Sequence, residues 1–161
     1  MRLFERSVEH GVTRIRTHTD VDPVVEMRSM EGVLAAKQRM GEGLDVDIIA
    51  FSTSKNDLAE PHALDRLERA VAMGADLIGA SLNASADPPR ALAALFDLAE
   101  RSGLGVDLHL DEHLEPDNMR EKFASIFGAA GLSGAETAVV YEQSMNTGFG
   151  GPAAAMSCCA I

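Results

Sequence analysis

The chain has no tryptophan, one tyrosine and six phenylalanines, so aromatics make up only 4% of it. Core volume must therefore come from Ala, Leu, Val, Ile and Met. Cysteine is nearly absent. Cys158 and Cys159 are the only two, and they are adjacent. Neighbouring cysteines rarely close a disulfide because the geometry is strained, which excludes a disulfide-stapled fold and points to free thiols in a reducing cytoplasm. Positive charge is also scarce: 14 Lys and Arg face 25 Asp and Glu, for a formal net charge of -11. Such a surface repels phosphate backbones and anionic lipid, so nucleic-acid and membrane partners are not expected. No run approaches the roughly 20 apolar residues that span a bilayer. Arg2, Glu5 and Arg6 interrupt the start before any apolar run forms, unlike a secretory signal. A cytoplasmic location is the expectation.

The usual nucleotide and nucleophile signatures are missing as well. There is no GxGxxG, no Walker loop and no GxSxG. Gly148-Phe149-Gly150-Gly151 has no helix reading after it, so it makes a poor phosphate loop. Nothing supports a serine or cysteine nucleophile.

At 161 residues and 46% hydrophobic, the chain is long enough for one compact core. Strands and helices alternate along it. Met1–Glu9 reads as a helix with Leu3, Phe4 and Val8 on one side, and Val12–Thr19 as a strand. Val24–Met40 reads as a helix after Pro23, and Asp45–Ser52 as a second strand. Pro61–Met73 is a helix capped by Gly74, and Ala75–Leu82 a third strand. Pro88–Arg101 is a helix with Asp87 at its N-cap, and Val106–Leu110 a fourth strand. A further helix is expected from Pro116 to about Ala130, and a fifth strand at Ala138–Tyr141. Short strand–helix–strand units force parallel strands with right-handed crossovers. The fold class is therefore α/β, with residues 1–130 as one domain and 131–161 as a Gly/Ala-rich, divergent and disordered tail.

The strands are unusual for a buried parallel sheet, which should be apolar on both faces. Period-2 geometry puts Arg14, Arg16, His18 and Asp20 on one face of the first strand. It groups Asp45, Asp47, Ile49 and Phe51 on the second, and Asp107, His109 and Asp111 on the fourth. A polar face recurring on three strands suggests a lined interior, as in a barrel. There Arg14 and Arg16 would pair with Asp45, Asp47 or Asp107, because an unpaired buried charge costs several kcal/mol.

The chemistry concentrates in Gly105-Val106-Asp107-Leu108-His109-Leu110-Asp111-Glu112-His113, at a strand end where α/β scaffolds place ligands. A neutral imidazole at His109 suits a metal, and Glu112 is spaced to move protons to and from a water there. A bend after Leu110 would bring the two to one pocket. The bland alternative is a strand-end histidine and a loop carboxylate with no shared task. Asp111 and His113 are weaker candidates. His18 occupies a position similar to that of His109, whereas His10 and His62 belong to helix ends or the surface.

These segments resemble a known family. Gly11-Val12-Thr13-Arg14-Ile15-Arg16-Thr17-His18-Thr19-Asp20-Val21-Asp22-Pro23 resembles the second barrel strand of cytosine-deaminase-like amidohydrolases. Asp45–Phe51 and Gly74–Ala80 resemble the next two strands. Val106-Asp107-Leu108-His109-Leu110-Asp111-Glu112 resembles the strand that carries a metal-ligand His and the catalytic Glu. The resemblance covers roughly residues 1–127. It implies a partial (β/α) TIM-type barrel of about four to five parallel strand–helix units. It also implies hydrolysis of C–N bonds in cyclic amidines or amides such as pyrimidines, with zinc or iron as cofactor. By position, His109 becomes a metal ligand and Glu112 the catalytic proton carrier. Thr53 stands where the family has a substrate-binding Gln and is assigned, with His18 and Asp111, to the substrate.

The family's His-x-His pair has no counterpart before Gly11, and no His follows Gly131. The expectation is thus a truncated barrel, weak or inactive alone, that takes a small-molecule substrate and forms a homo-oligomer. The rival expectation is a non-catalytic α/β fragment or oligomerising module. A third is a small-ligand binding domain without turnover.

Overall fold

The computed structural model describes residues 2–82, 85–110 and 140–142. Its elements follow one another as α1 (Arg2–Glu9), β1 (Arg14–Val21), α2 (Arg28–Met40), a 3-10 turn (Gly41–Gly43), β2 (Asp45–Ser52), α3 (Pro61–Met73), β3 (Leu77–Ser81), α4 (Pro88–Ser102), β4 (Gly105–Leu110) and β5 (Val140–Glu142). The sheet runs β1-β2-β3-β4-β5 in chain order, and every pairing is parallel. A doubly wound sheet reverses its order at a switch point. This one does not, and with crossovers of the right hand that parallel strands follow, successive helices fall on one face, as a partial (β/α) barrel requires.

Alternation along the strands builds two layers. Val46, Ile48, Ala50, Ile78, Ala80, Val106 and Leu108 join Leu67, Leu92 and Leu95 of the helices in the main core. On the opposite face, Arg14, Arg16, His18 and Asp20 of β1 remain exposed. Ile49 and Phe51 are buried there but lie outside the main core. The polar faces read from the sequence do line one side of the sheet.

Helix ends follow local chemistry. Asp87 caps α4 by accepting from the Arg90 N–H at 3.2 Å. Gly74 closes α3 at φ 107°, a left-handed conformation that costs glycine little. Two expectations need correction. The helix predicted from Val24 starts at Arg28, because Asp22 Oδ1 accepts from the N–H groups of Val24 and Val25 and holds a turn there. In α1 only Phe4 is buried, while Leu3 and Val8 face outward. The helix predicted at Pro116–Ala130 and the tail beyond Glu142 lie outside the described residues. The fifth strand is present, over Val140–Glu142. Among the described residues no helix is long and apolar enough to cross a membrane.

Candidate functional site

Three spacings of about 4.8 Å would put β1 and β4 about 14 Å apart in a flat sheet. Their side chains nevertheless meet. His18 Nε2 of β1 lies 3.2 Å from His109 Nε2 of β4, and the ring centroids are 4.5 Å apart. The sheet is therefore curled, and the polar face is its concave side. Asp107, two residues before His109 and on the same face, places Oδ1 3.4 Å from His18 Nε2 and 4.0 Å from His109 Nε2.

Phe51 and Gly79 make this convergence fit. Phe51 on β2 sets its ring edge-on to His18, at 5.1 Å between centroids, and tilted against His109 at 4.5 Å. To reach across β3 the ring passes over Gly79, where a Cβ would stand 2.8 Å from it. A larger residue at 79 would lift the ring away from β4.

Lower on the same face, Arg14 holds both oxygens of Asp47 at 3.0 Å, and Arg16 approaches that carboxylate at 3.8 Å. The hydrogen bonds from Arg14 hold the Asp47 carboxyl below its usual range. Of the three acids expected to serve these arginines, Asp47 does so. Asp107 turns instead to the histidines.

The site residues named from the sequence are thus placed as follows. His18 and His109 are brought together. Thr53 lies just beyond β2, and its hydroxyl donates to Asp22 Oδ2 at 3.4 Å and accepts from the Lys55 N–H at 3.3 Å. Asp111 and Glu112 lie outside the described residues. His62 is exposed beside Asp65 on α3, and His10 is exposed after α1. Asp107 was not among the site residues named from the sequence. Its signal was its shared face with His109, which was read as a partner for arginine.

The cluster fits a divalent cation. Two nitrogens sharing one tetrahedral zinc at 2.0–2.1 Å sit about 3.3 Å apart, close to the 3.2 Å between the imidazoles. Asp107 Oδ1 is buried, and no hydrogen bond reaches it among the described residues. His18, Asp107 and His109 offer ligand atoms that all lie within 4.8 Å of one another.

No family model matches the chain. It is 29% identical over 107 residues to N-isopropylammelide isopropyl amidohydrolase of Pseudomonas sp. (strain ADP), covering 65% of this chain and 26% of that protein. Among solved structures, it is similar to N-isopropylammelide isopropylaminohydrolase from Burkholderia multivorans ATCC 17616, with 34% identity and a TM-score of 0.67, over 80% of this chain and 32% of that one. It is also similar to 5-methylcytosine deaminase from Klebsiella pneumoniae liganded with 5-fluorocytosine, with 29% identity and a TM-score of 0.64, over 81% and 32%. The chain spans about a quarter to a third of the length of these relatives.

Proposed function

We propose, starting from the similarity of this chain to one part of the cytosine-deaminase-like amidohydrolases, that it takes part in metal-dependent hydrolysis of a C–N bond on a small cyclic amidine or amide. The observation that carries this reading is His109, at the carboxyl end of β4 and on the concave face, clustered with a second imidazole and a buried carboxylate. Active sites of (β/α) barrels collect at that end of the strands.

His109 would hold zinc or iron(II). Such an ion, when bound, polarises the C=N or C=O group and makes water a better nucleophile near neutral pH. Glu112 takes a proton from the water that adds to the ring carbon and returns it to the departing nitrogen. The exocyclic C–N bond breaks, ammonia or an amine leaves, and the ring keeps a carbonyl. Thr53 and Asp111 are proposed to contact the ring. A second copy of the chain would supply further walls of the site, so activity per chain rises with protein concentration.

The test is an incubation of the full chain, supplied with zinc or iron(II), with N-isopropylammelide and 5-methylcytosine while released isopropylamine or ammonia is measured. Release that needs metal and disappears in Glu112→Gln supports the reading. No release at any protein concentration, with metal demonstrably bound, refutes it.

A further inference from the structure

β1 ends the sheet on one side, and among the described residues no strand covers its outer edge. One hydrogen bond fixes which main-chain groups look outward. The Asp45 N–H donates to the Thr13 carbonyl at 3.0 Å, so Thr13 turns to β2. Alternation then turns Ile15, Thr17, Thr19 and Val21 to β2 as well. It directs the N–H and C=O groups of Arg14, Arg16, His18 and Asp20 outward, away from β2. β1 holds neither Pro nor Gly, and Ile15, Thr17, Thr19 and Val21 are β-branched. An edge of this composition is a template for another strand. β5, at the other end of the sheet, spans only Val140–Glu142 and offers little to pair with.

The charges on β1 select the partner and its direction. A second β1 paired in parallel and in register would set Arg14 against Arg14 and Arg16 against Arg16, and like charges directly opposite destabilise a sheet. Antiparallel pairing about a two-fold axis at Thr17 does the reverse. It sets Arg14 opposite Asp20 of the second copy at both ends, Arg16 opposite His18, Ile15 opposite Thr19, and Thr17 opposite itself. The four outward residues of each copy then exchange N–H···O=C bonds, about eight in all. An axis at Arg16 would face two guanidinium groups, and an axis at His18 would leave Arg14 beyond the ladder. Arg14 is 65% exposed even while it holds Asp47, and Asp20 is exposed, so both are accessible from the edge.

The helix side of this edge has room for the incoming strand. A hollow of about 350 Å³ opens between the carboxyl half of β1 and α2, where Thr19, Ser29, Gly32 and Val33 line it. No residue of β2 lines it, so it lies on the outer side of β1. A Cβ on Gly32 would meet nothing within 4 Å. The antiparallel register brings Ile15 of the second copy opposite Thr19, at the mouth of this hollow.

We infer that β1 is a homodimerisation edge, through which two copies of the chain join antiparallel about a two-fold axis at Thr17. Their sheets become continuous, with both concave faces on the same side. This gives the second copy invoked above a fixed place beside the site. It rests on strand geometry and charge alone, whatever the chain does to a substrate.

The experiment is sedimentation of the full chain, together with cross-linking through one introduced cysteine in a Cys158→Ser, Cys159→Ser background. The parent should sediment as a dimer. Thr17 meets its own copy as a non-hydrogen-bonded pair with Cα atoms about 4.5 Å apart, which suits a disulfide. Thr17→Cys should therefore form a disulfide-linked dimer on mild oxidation. Ile15→Cys should not, since the register leaves it roughly 14 Å from its own copy. Asp20→Arg, which faces Arg14 at both ends, should weaken the dimer about 10-fold or more. Circular dichroism of each variant separates lost association from lost folding. A parent chain that sediments as a monomer would overturn the inference. So would a dimer that folded Asp20→Arg leaves unchanged, or one that folded Thr17→Cys fails to lock. A locked dimer that releases no amine or ammonia would leave it standing and remove the proposed hydrolysis instead.

Discussion

Gly79 and Asp107 stand opposite each other on β3 and β4, so close that a methyl group on Gly79 would lie 2.5 Å from the Asp107 backbone oxygen. That neighbour is main chain in a sheet and has no rotamer to change. Gly79→Ala must therefore push the strands apart or displace Phe51. We predict a loss of about 1–3 kcal/mol in stability, the usual cost of overpacking, read from the midpoint of urea unfolding. Weakened metal uptake should accompany it.

Phe51 gives a cleaner separation of packing from site geometry. Phe51→Leu keeps most of the apolar volume and should cost less than about 1.5 kcal/mol. The leucine has no ring to set against His18 and His109, so zinc affinity should fall by more than the loss of stability read from the thermal midpoint. Equal losses in both would mean that Phe51 serves the core alone.

Acid stability should depend on three carboxylates. Hydrogen bonds from Arg14 hold Asp47 below its ordinary range, against the opposing effect of burial. Burial pushes Asp22 up, but the N–H groups of Val25 and Val24, the nearby Lys55 charge and the Thr53 hydroxyl together outweigh it, and the net shift is downward. Burial likewise pushes Asp57 up, and the Ser85 hydroxyl with the N–H groups of Ala86 and Ala59 reverses it. A carboxyl depressed in the folded state stabilises the protein above its unfolded pKa, near 4. That contribution disappears as pH falls through the lower folded value. Stability measured by urea unfolding should therefore decline below about pH 4. Arg14→Gln should make that decline shallower by removing the preference of the folded state for ionised Asp47.

Glu112→Gln should lower hydrolysis by about 10²–10⁴-fold, the range for removing a general acid–base group. Zinc stoichiometry should stay at the parent value, since the proposed metal ligand is His109 and Glu112 is proposed to move protons only. A variant that loses metal along with activity would place Glu112 in the ligand set and contradict its role as proton carrier.

Much of this was legible in the residues because period and punctuation agree. Pro61 and Gly74 bracket α3, and β2 runs over Asp45–Ser52 as its alternation predicts. The polar stripe of Arg14, Arg16 and His18 marks the concave side without any coordinates. The start of α2 was not legible, because the competing turn depends on where the Asp22 side chain points. The role of Asp107 was hidden for a related reason. Period 2 says which face it shares, but only the curl of the sheet decides whether it meets Arg14 or His18. That curl is a property of four strands together, and Gly79 shows its effect only once Phe51 is placed above it.

The account is tested most directly by anomalous X-ray scattering at the zinc edge from crystals of the full chain grown with zinc. It predicts one peak bounded by His18 Nε2, His109 Nε2 and Asp107 Oδ1. A zinc-replete crystal with no peak there, or with the two imidazoles turned away from each other, would contradict it.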